Sequence, residues 1–122
     1  MTRLSVSMDA HPHFSVVTLI GDLDKSSAPM LEERLADFMR RGHVCLVVDT
    51  TGLGFCDSTG IWVLLTSLRR AYERKGWLRL VGVHGFLGRL LDLTRLREAF
   101  PIDSTVEESL REVSDSHVPV PR

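Results

Sequence analysis

At 122 residues and 43% hydrophobic content, the chain is sized for one domain around one core. Its 15 basic and 16 acidic side chains leave a formal net charge of -1 and form no basic stripe, which argues against nucleic acid as a direct partner. Residues 1–9 lack the apolar core of a secretory signal and the longest strictly apolar run, Ile61 to Leu65, is too short for a bilayer, so a soluble cytoplasmic protein with no membrane partner is expected.

Leu4, Val6 and Met8 alternate with polar neighbours, and Phe14, Val16, Val17, Leu19 and Ile20 form a denser apolar run. Two strands flanking a turn at Asp9 to His13 are predicted, so the chain opens with a β-hairpin. After Gly21-Asp22-Leu23-Asp24, the segment Ser26 to Arg41 sets Leu31, Leu35, Phe38 and Met39 at helical spacing, with Pro29 early and Gly42 just past the end. Val44 to Val48 is continuously apolar and ends at Asp49, the pattern of a strand covered on both faces. From Gly60 onward, Ile61, Leu64, Leu65, Leu68 and Tyr72 follow the 3.6-residue period, while Arg69, Arg70, Glu73 and Arg74 supply a polar face before Gly76.

Leu78, Leu80, Val81 and Val83 predict another strand, Phe86 to Thr94 a short helix, and Phe100 to Ile102 a stub of strand before a last helix near Thr105. This order of elements predicts an α/β fold in which helices pack on a sheet. The domain is expected to span residues 1–113, with Ser114 to Arg122, interrupted by Pro119 and Pro121, as a flexible tail. Cys45 and Cys56 lack the paired spacing of a redox or zinc motif and read as reduced and buried.

The chemically distinctive segment is Thr50 to Gly60, between the central strand and the second helix. Asp57 and Ser58 immediately precede the helical period, so one of them is expected to cap the helix through a side-chain oxygen. Capping alone accounts for a serine there. A hydroxyl at a helix N-terminus is also well placed to carry a phosphate, because free N–H groups and the helix dipole favour negative charge. Such a modification adds about -1.5 to -2 charges beside Asp57 and would act on a partner approaching that surface.

Val47-Val48-Asp49, Gly52, Phe55, Asp57-Ser58-Thr59-Gly60 and the leucine-rich helix that follows resemble the signature of the STAS family, specifically its anti-anti-sigma factors. Gly21-Asp22-Leu23-Asp24 with Ala28 and Leu31, and Phe86 to Leu96, are similar to further segments of the family, so the resemblance covers nearly the whole domain. It implies a mixed sheet of four to five strands with about four helices. It also implies that Ser58 is the phosphoacceptor of an anti-sigma factor that is itself a serine kinase. Unphosphorylated members bind that factor and free the sigma factor, phosphorylated members do not bind, and a serine phosphatase resets them. ATP belongs to the partner, and the chain itself is expected to hold no cofactor or metal.

The partner-binding set implied here is Asp22, Asp24, Asp57, Ser58, Thr59, Gly60 and Trp62. Trp62 stands where the family usually has a small residue, and Asp22 where glutamate is more common. On a helical wheel Trp62 falls on the flank of Thr66, Arg69 and Glu73, which suits either the edge of the core or a partner anchor. Asp22 and Asp24 fit local turn chemistry as well as a role in orienting the kinase reaction.

Other readings are weaker. A serine hydrolase fails because Cys56 occupies the first glycine of a nucleophile elbow and no oxyanion loop is evident. A phosphoaspartate receiver at Asp49 lacks the acidic pair and the late lysine, since Lys25 and Lys75 are the only lysines; Asp49 reads instead as closing its strand. Within the family, a phosphorylation-independent scaffold or nucleotide-binding module is the alternative, and the chain is expected to be a monomer or weak dimer.

Overall fold

The hairpin forms as its alternation dictates: in the computed structural model, which describes residues 2–116, β1 (Ser5–Ala10) pairs antiparallel with β2 (Ser15–Leu23), from Ser5 opposite Ile20 to Ala10 opposite Ser15. The remaining elements are α1 (Ala28–Arg40), β3 (Cys45–Cys56), α2 (Ser58–Glu73), β4 (Trp77–Val81), α3 (Gly85–Leu93), β5 (Ile102–Asp103) and α4 (Val106–Ser116). β2 through β5 run parallel, giving a five-stranded mixed sheet in the order β1-β2-β3-β4-β5.

Right-handed crossovers that advance steadily across a sheet put their helices on one face. Leu31 and Leu35 of α1, Ile61, Leu64 and Leu68 of α2, and Leu87 and Leu91 of α3 accordingly share one buried cluster with Val17, Leu19, Leu46, Val48, Leu78 and Leu80 of the strands. The opposite face is covered only in part. There α4 lies against β3, β4 and β5, over the buried Val47 and Val81. A bidentate ion pair from Arg79 on β4 to Asp103 on β5, at 2.6 and 3.0 Å, and a 2.6 Å hydrogen bond from the Ser109 hydroxyl to Asp103 tie α4 to the sheet edge. At the other edge, Arg34 of α1 donates to the carbonyl of Val6 at 2.9 Å.

Three expectations change. Asp49 does not close its strand: β3 continues to Cys56, because pairing with β4 stops at Asp49 opposite Val81 while pairing with β2 runs on to Leu23 opposite Cys56. The continuous apolar run marks only the part flanked by strands on both sides. Beyond it, glycine permits close contact, and a Cβ on Gly52 would stand 2.8 Å from Ile20 Cγ1. The open edge is met from β4 and the loop after it: Thr50 Oγ1 donates to Val81 O, and the His84 ring donates to Thr51 O, both at 2.8 Å. Asp22, which also fitted turn chemistry, is instead a paired residue near the end of β2, opposite Phe55 of β3. Finally, α4 includes Ser114 and runs to Ser116, beyond the expected boundary; residues 117–122 of the expected tail lie outside the described residues.

Candidate functional site

The C-terminal ends of β2 and β3 bring two loops side by side, and Asp57 joins them. Its backbone is extended (φ -109°, ψ -175°), which aims the carboxylate back at the first turn of α2. Oδ1 accepts from the N–H of Thr59 at 2.9 Å and of Gly60 at 3.2 Å, while Oδ2 accepts from the N–H of Lys25 in the β2–α1 loop at 3.2 Å. The Asp57 N–H donates to Leu23 O at 3.1 Å and its carbonyl accepts from Ile61. Asp57 is therefore the N-cap, satisfying two donors that the helix would otherwise leave orphaned.

Ser58 is then the first residue of α2 rather than its cap. It is exposed, and its hydroxyl makes no hydrogen bond with the described residues. Neither a histidine nor any other base is bonded to it, so the oxygen is presented outward rather than activated from within. Thr59 is half-buried, and Gly60 is buried where a Cβ would stand 2.6 Å from Leu23 Cγ and 2.9 Å from Cys56 Sγ. Gly60 is thus required for α2 to seat on β2 and β3. Cys56 is buried, and desolvation, with the Asp57 charge second, pushes its thiol from 9.0 up to about 12. Cys45 is half-buried, and burial raises its thiol as well; both cysteines are unpaired.

Trp62 lies one turn from Ser58 on the same helix face and is 57% exposed, so its ring belongs to the surface. Asp24 shapes the turn that leads into α1, whose N-cap is Ser27, rather than capping the helix as Asp57 does: Oδ1 accepts from Ser26 N at 2.9 Å and Ser27 N at 3.1 Å, and its own N–H donates to Ser27 Oγ at 3.0 Å. Asp22 faces the N-terminal segment, with Oδ2 accepting from Thr2 N at 3.0 Å. The structure thus unites Asp57, Ser58, Thr59, Gly60 and Trp62 along two helical turns and links Asp24 to them through its neighbour Lys25. Asp22 is engaged elsewhere.

Sequence reasoning missed an aromatic pair beside this turn. Phe55, three residues before Ser58, meets Phe86 at the start of α3 edge to face with centroids 5.0 Å apart, and the Arg89 guanidinium lies 4.9 Å above the Phe86 ring. Phe86 and Arg89 are exposed. Only the parallel pairing of β3 with β4 brings these segments together, so no local pattern announced them.

Comparison with known proteins agrees with this layout. Residues 5–109 match the family model for the STAS domain. An anti-sigma-B factor antagonist of Staphylococcus epidermidis is 28% identical over 105 residues, covering 86% of this chain and 97% of that protein. The crystal structure of an anti-sigma factor antagonist from Mycobacterium paratuberculosis superposes with a TM-score of 0.77 at 26% identity, covering 91% of this chain and 94% of that one. The Bacillus cell fate determinant SpoIIAA in its phosphorylated form gives 0.71 at 19% identity, covering 89% and 99%.

Proposed function

Since the chain belongs to the STAS domain family, we propose that it is an anti-sigma factor antagonist whose binding to its partner is switched by phosphorylation of Ser58. The observation that carries this reading is the exposed Ser58 hydroxyl, unbonded at the first turn of a helix that Asp57 already caps. It is supported by the names of relatives that match almost end to end, and by the existence of a phosphorylated form of a structural neighbour.

The partner is an anti-sigma factor with serine kinase activity, and the ATP is bound there. The Ser58 oxygen forms a bond to the γ-phosphorus as the bond to ADP breaks, with the hydroxyl proton passing to a base of the kinase. A phosphate brings about -1.5 to -2 charges to a turn whose Thr59 and Gly60 N–H groups are already committed to Asp57. The added charge therefore meets few free donors in its own helix and faces the approaching partner, where repulsion and desolvation oppose binding. Trp62, together with Phe86 and Arg89, supplies the apolar and aromatic part of the docking surface, the residue types that dominate interface energetics. A serine phosphatase restores the binding form. The protein works in the cytoplasm, as a monomer or weak dimer, without touching nucleic acid itself.

The test is the intact mass of the protein after incubation with ATP and each candidate anti-sigma kinase of the same genome, with Ser58→Ala alongside. One added phosphate that vanishes in the variant is the expected result. No phosphate with any kinase would overturn the switch and leave a phosphorylation-independent STAS scaffold.

A further inference from the structure

Near Ser58 in the fold lies a cation without a partner among the described residues. Lys25 sits in the β2–α1 loop, and its backbone N–H donates to Asp57 Oδ2, the carboxylate whose other oxygen caps the turn that Ser58 begins. That main-chain bond fixes the root of the lysine one carboxylate away from the switch. The side chain is exposed and forms no ion pair or hydrogen bond among the described residues.

Three neighbouring charges have partners. Asp24 faces the N–H groups of Ser26 and Ser27, Asp57 faces those of Lys25, Thr59 and Gly60, and Arg89, reaching in from α3, is stacked on Phe86. Lysine carries its charge on a flexible four-carbon stem with three donors, which suits it to a phosphate that arrives and leaves.

We propose that Lys25 is the internal counter-charge of the phosphorylated state, its ammonium pairing with the phosphate on Ser58. The inference rests on Ser58 being the modified residue. It gives the switch two effects instead of one. In the unmodified protein the ammonium is free to meet an acidic group of the partner; after phosphorylation it is drawn onto the phosphate, so the surface gains negative charge and loses a positive one together. The same pairing offsets repulsion between phosphate and Asp57, so the cap and the Lys25–Asp57 link survive modification.

The experiment installs phosphoserine at position 58 by genetic encoding and follows the phosphate by ³¹P NMR through its second ionisation. Four proteins are compared: the parent, Lys25→Met, Lys25→Arg and Lys75→Met, the last removing the lysine beyond the opposite end of α2. Lys25→Met keeps the backbone N–H that bonds Asp57. The expected result is a second pKa higher by roughly half a unit in Lys25→Met, the size of an exposed ion pair, with Lys25→Arg and Lys75→Met at the parent value. Equal values in the parent and Lys25→Met, or an equal rise in Lys75→Met, would overturn the pairing. Because the phosphate is built in, this outcome is independent of any kinase, whereas failure of every kinase to modify Ser58 would sink the functional reading alone.

Discussion

Ser58 and Ser109 carry the same hydroxyl near the start of a helix, yet the fold treats them in opposite ways. Ser109 is fully buried, donates to Asp103 at 2.6 Å, and completes a cluster in which Arg79 grips the same carboxylate with two nitrogens. Ser58 is exposed and unbonded, because Asp57 has taken over the capping that a serine there could have supplied. The difference lies in which neighbour satisfies the local donors first. Where a carboxylate needs a donor, the serine becomes structure; where a carboxylate has already met the backbone, the serine is left for another molecule.

The largest effect expected from breaking this contrast comes from the structural side. Asp103→Ala leaves the Arg79 guanidinium, one-fifth exposed, without its partner and Ser109 without its acceptor. Loss of one member of such a pair costs about 3 kcal/mol or more, and denaturant unfolding should show it. Acid adds a second readout. The hydrogen bond from Arg79, then that from Ser109, outweighs desolvation and holds the Asp103 carboxyl below its ordinary 3.8. A lowered folded-state pKa contributes stability that is present above the unfolded value and is lost as pH falls through the folded one. Stability of the parent should therefore decline below about pH 4 more steeply than that of Asp103→Ala; parallel profiles would mean that the pair does little for the fold.

Much of this architecture was legible in the sequence, and the exceptions share a cause. The hairpin, α1 and α2 follow from periodicity because each has one buried and one wet face, a pattern that survives without knowledge of neighbours. The far half of β3 was not legible. Thr51 to Phe55 pairs on one side only and carries two glycines, so it mimics a loop until β2 is seen beside it. At the site, the sequence narrowed the cap to Asp57 or Ser58 but could not choose, since the choice is made by the extended backbone at Asp57 and by the Lys25 N–H reaching it from 32 residues away. The Phe55–Phe86 contact and the bonding of Asp22 to Thr2 also join distant segments and leave no local trace. Trp62 could be placed on a flank of α2 but not assigned to core or surface, because the width of the buried stripe depends on how closely α1 and α3 crowd α2.

A sharper version of the comparison removes the cap itself. Asp57→Ala frees the N–H groups of Thr59 and Gly60 and detaches the Lys25 N–H. The expected loss is about 1–2 kcal/mol, the upper part of the roughly 0.5–2 kcal/mol that N-cap replacements by alanine cost, because here a second loop is released as well. Amide exchange should accelerate at Lys25, Thr59 and Gly60 while the sheet amides slow or quicken only with global stability. A loss confined to α2, with Lys25 unaffected, would show that the two loops are not coupled through this carboxylate.

The smallest effects separate the three kinds of serine. Ser58→Ala deletes an exposed hydroxyl that bonds nothing, so stability should stay within about 0.5 kcal/mol of the parent even though every consequence of phosphorylation disappears. Ser67 on α2 is the opposite case: it is fully buried, yet its Oγ has no hydrogen-bond partner among the described residues. An unsatisfied buried hydroxyl carries a desolvation cost without return. Ser67→Ala should thus be neutral or stabilising by up to about 1 kcal/mol, read as an unchanged or higher urea midpoint at constant slope. Should Ser67→Ala destabilise and Ser58→Ala do likewise, the hydroxyls would be bonded in solution after all, and the division between serines that build the fold and the one left for a partner would lose its basis.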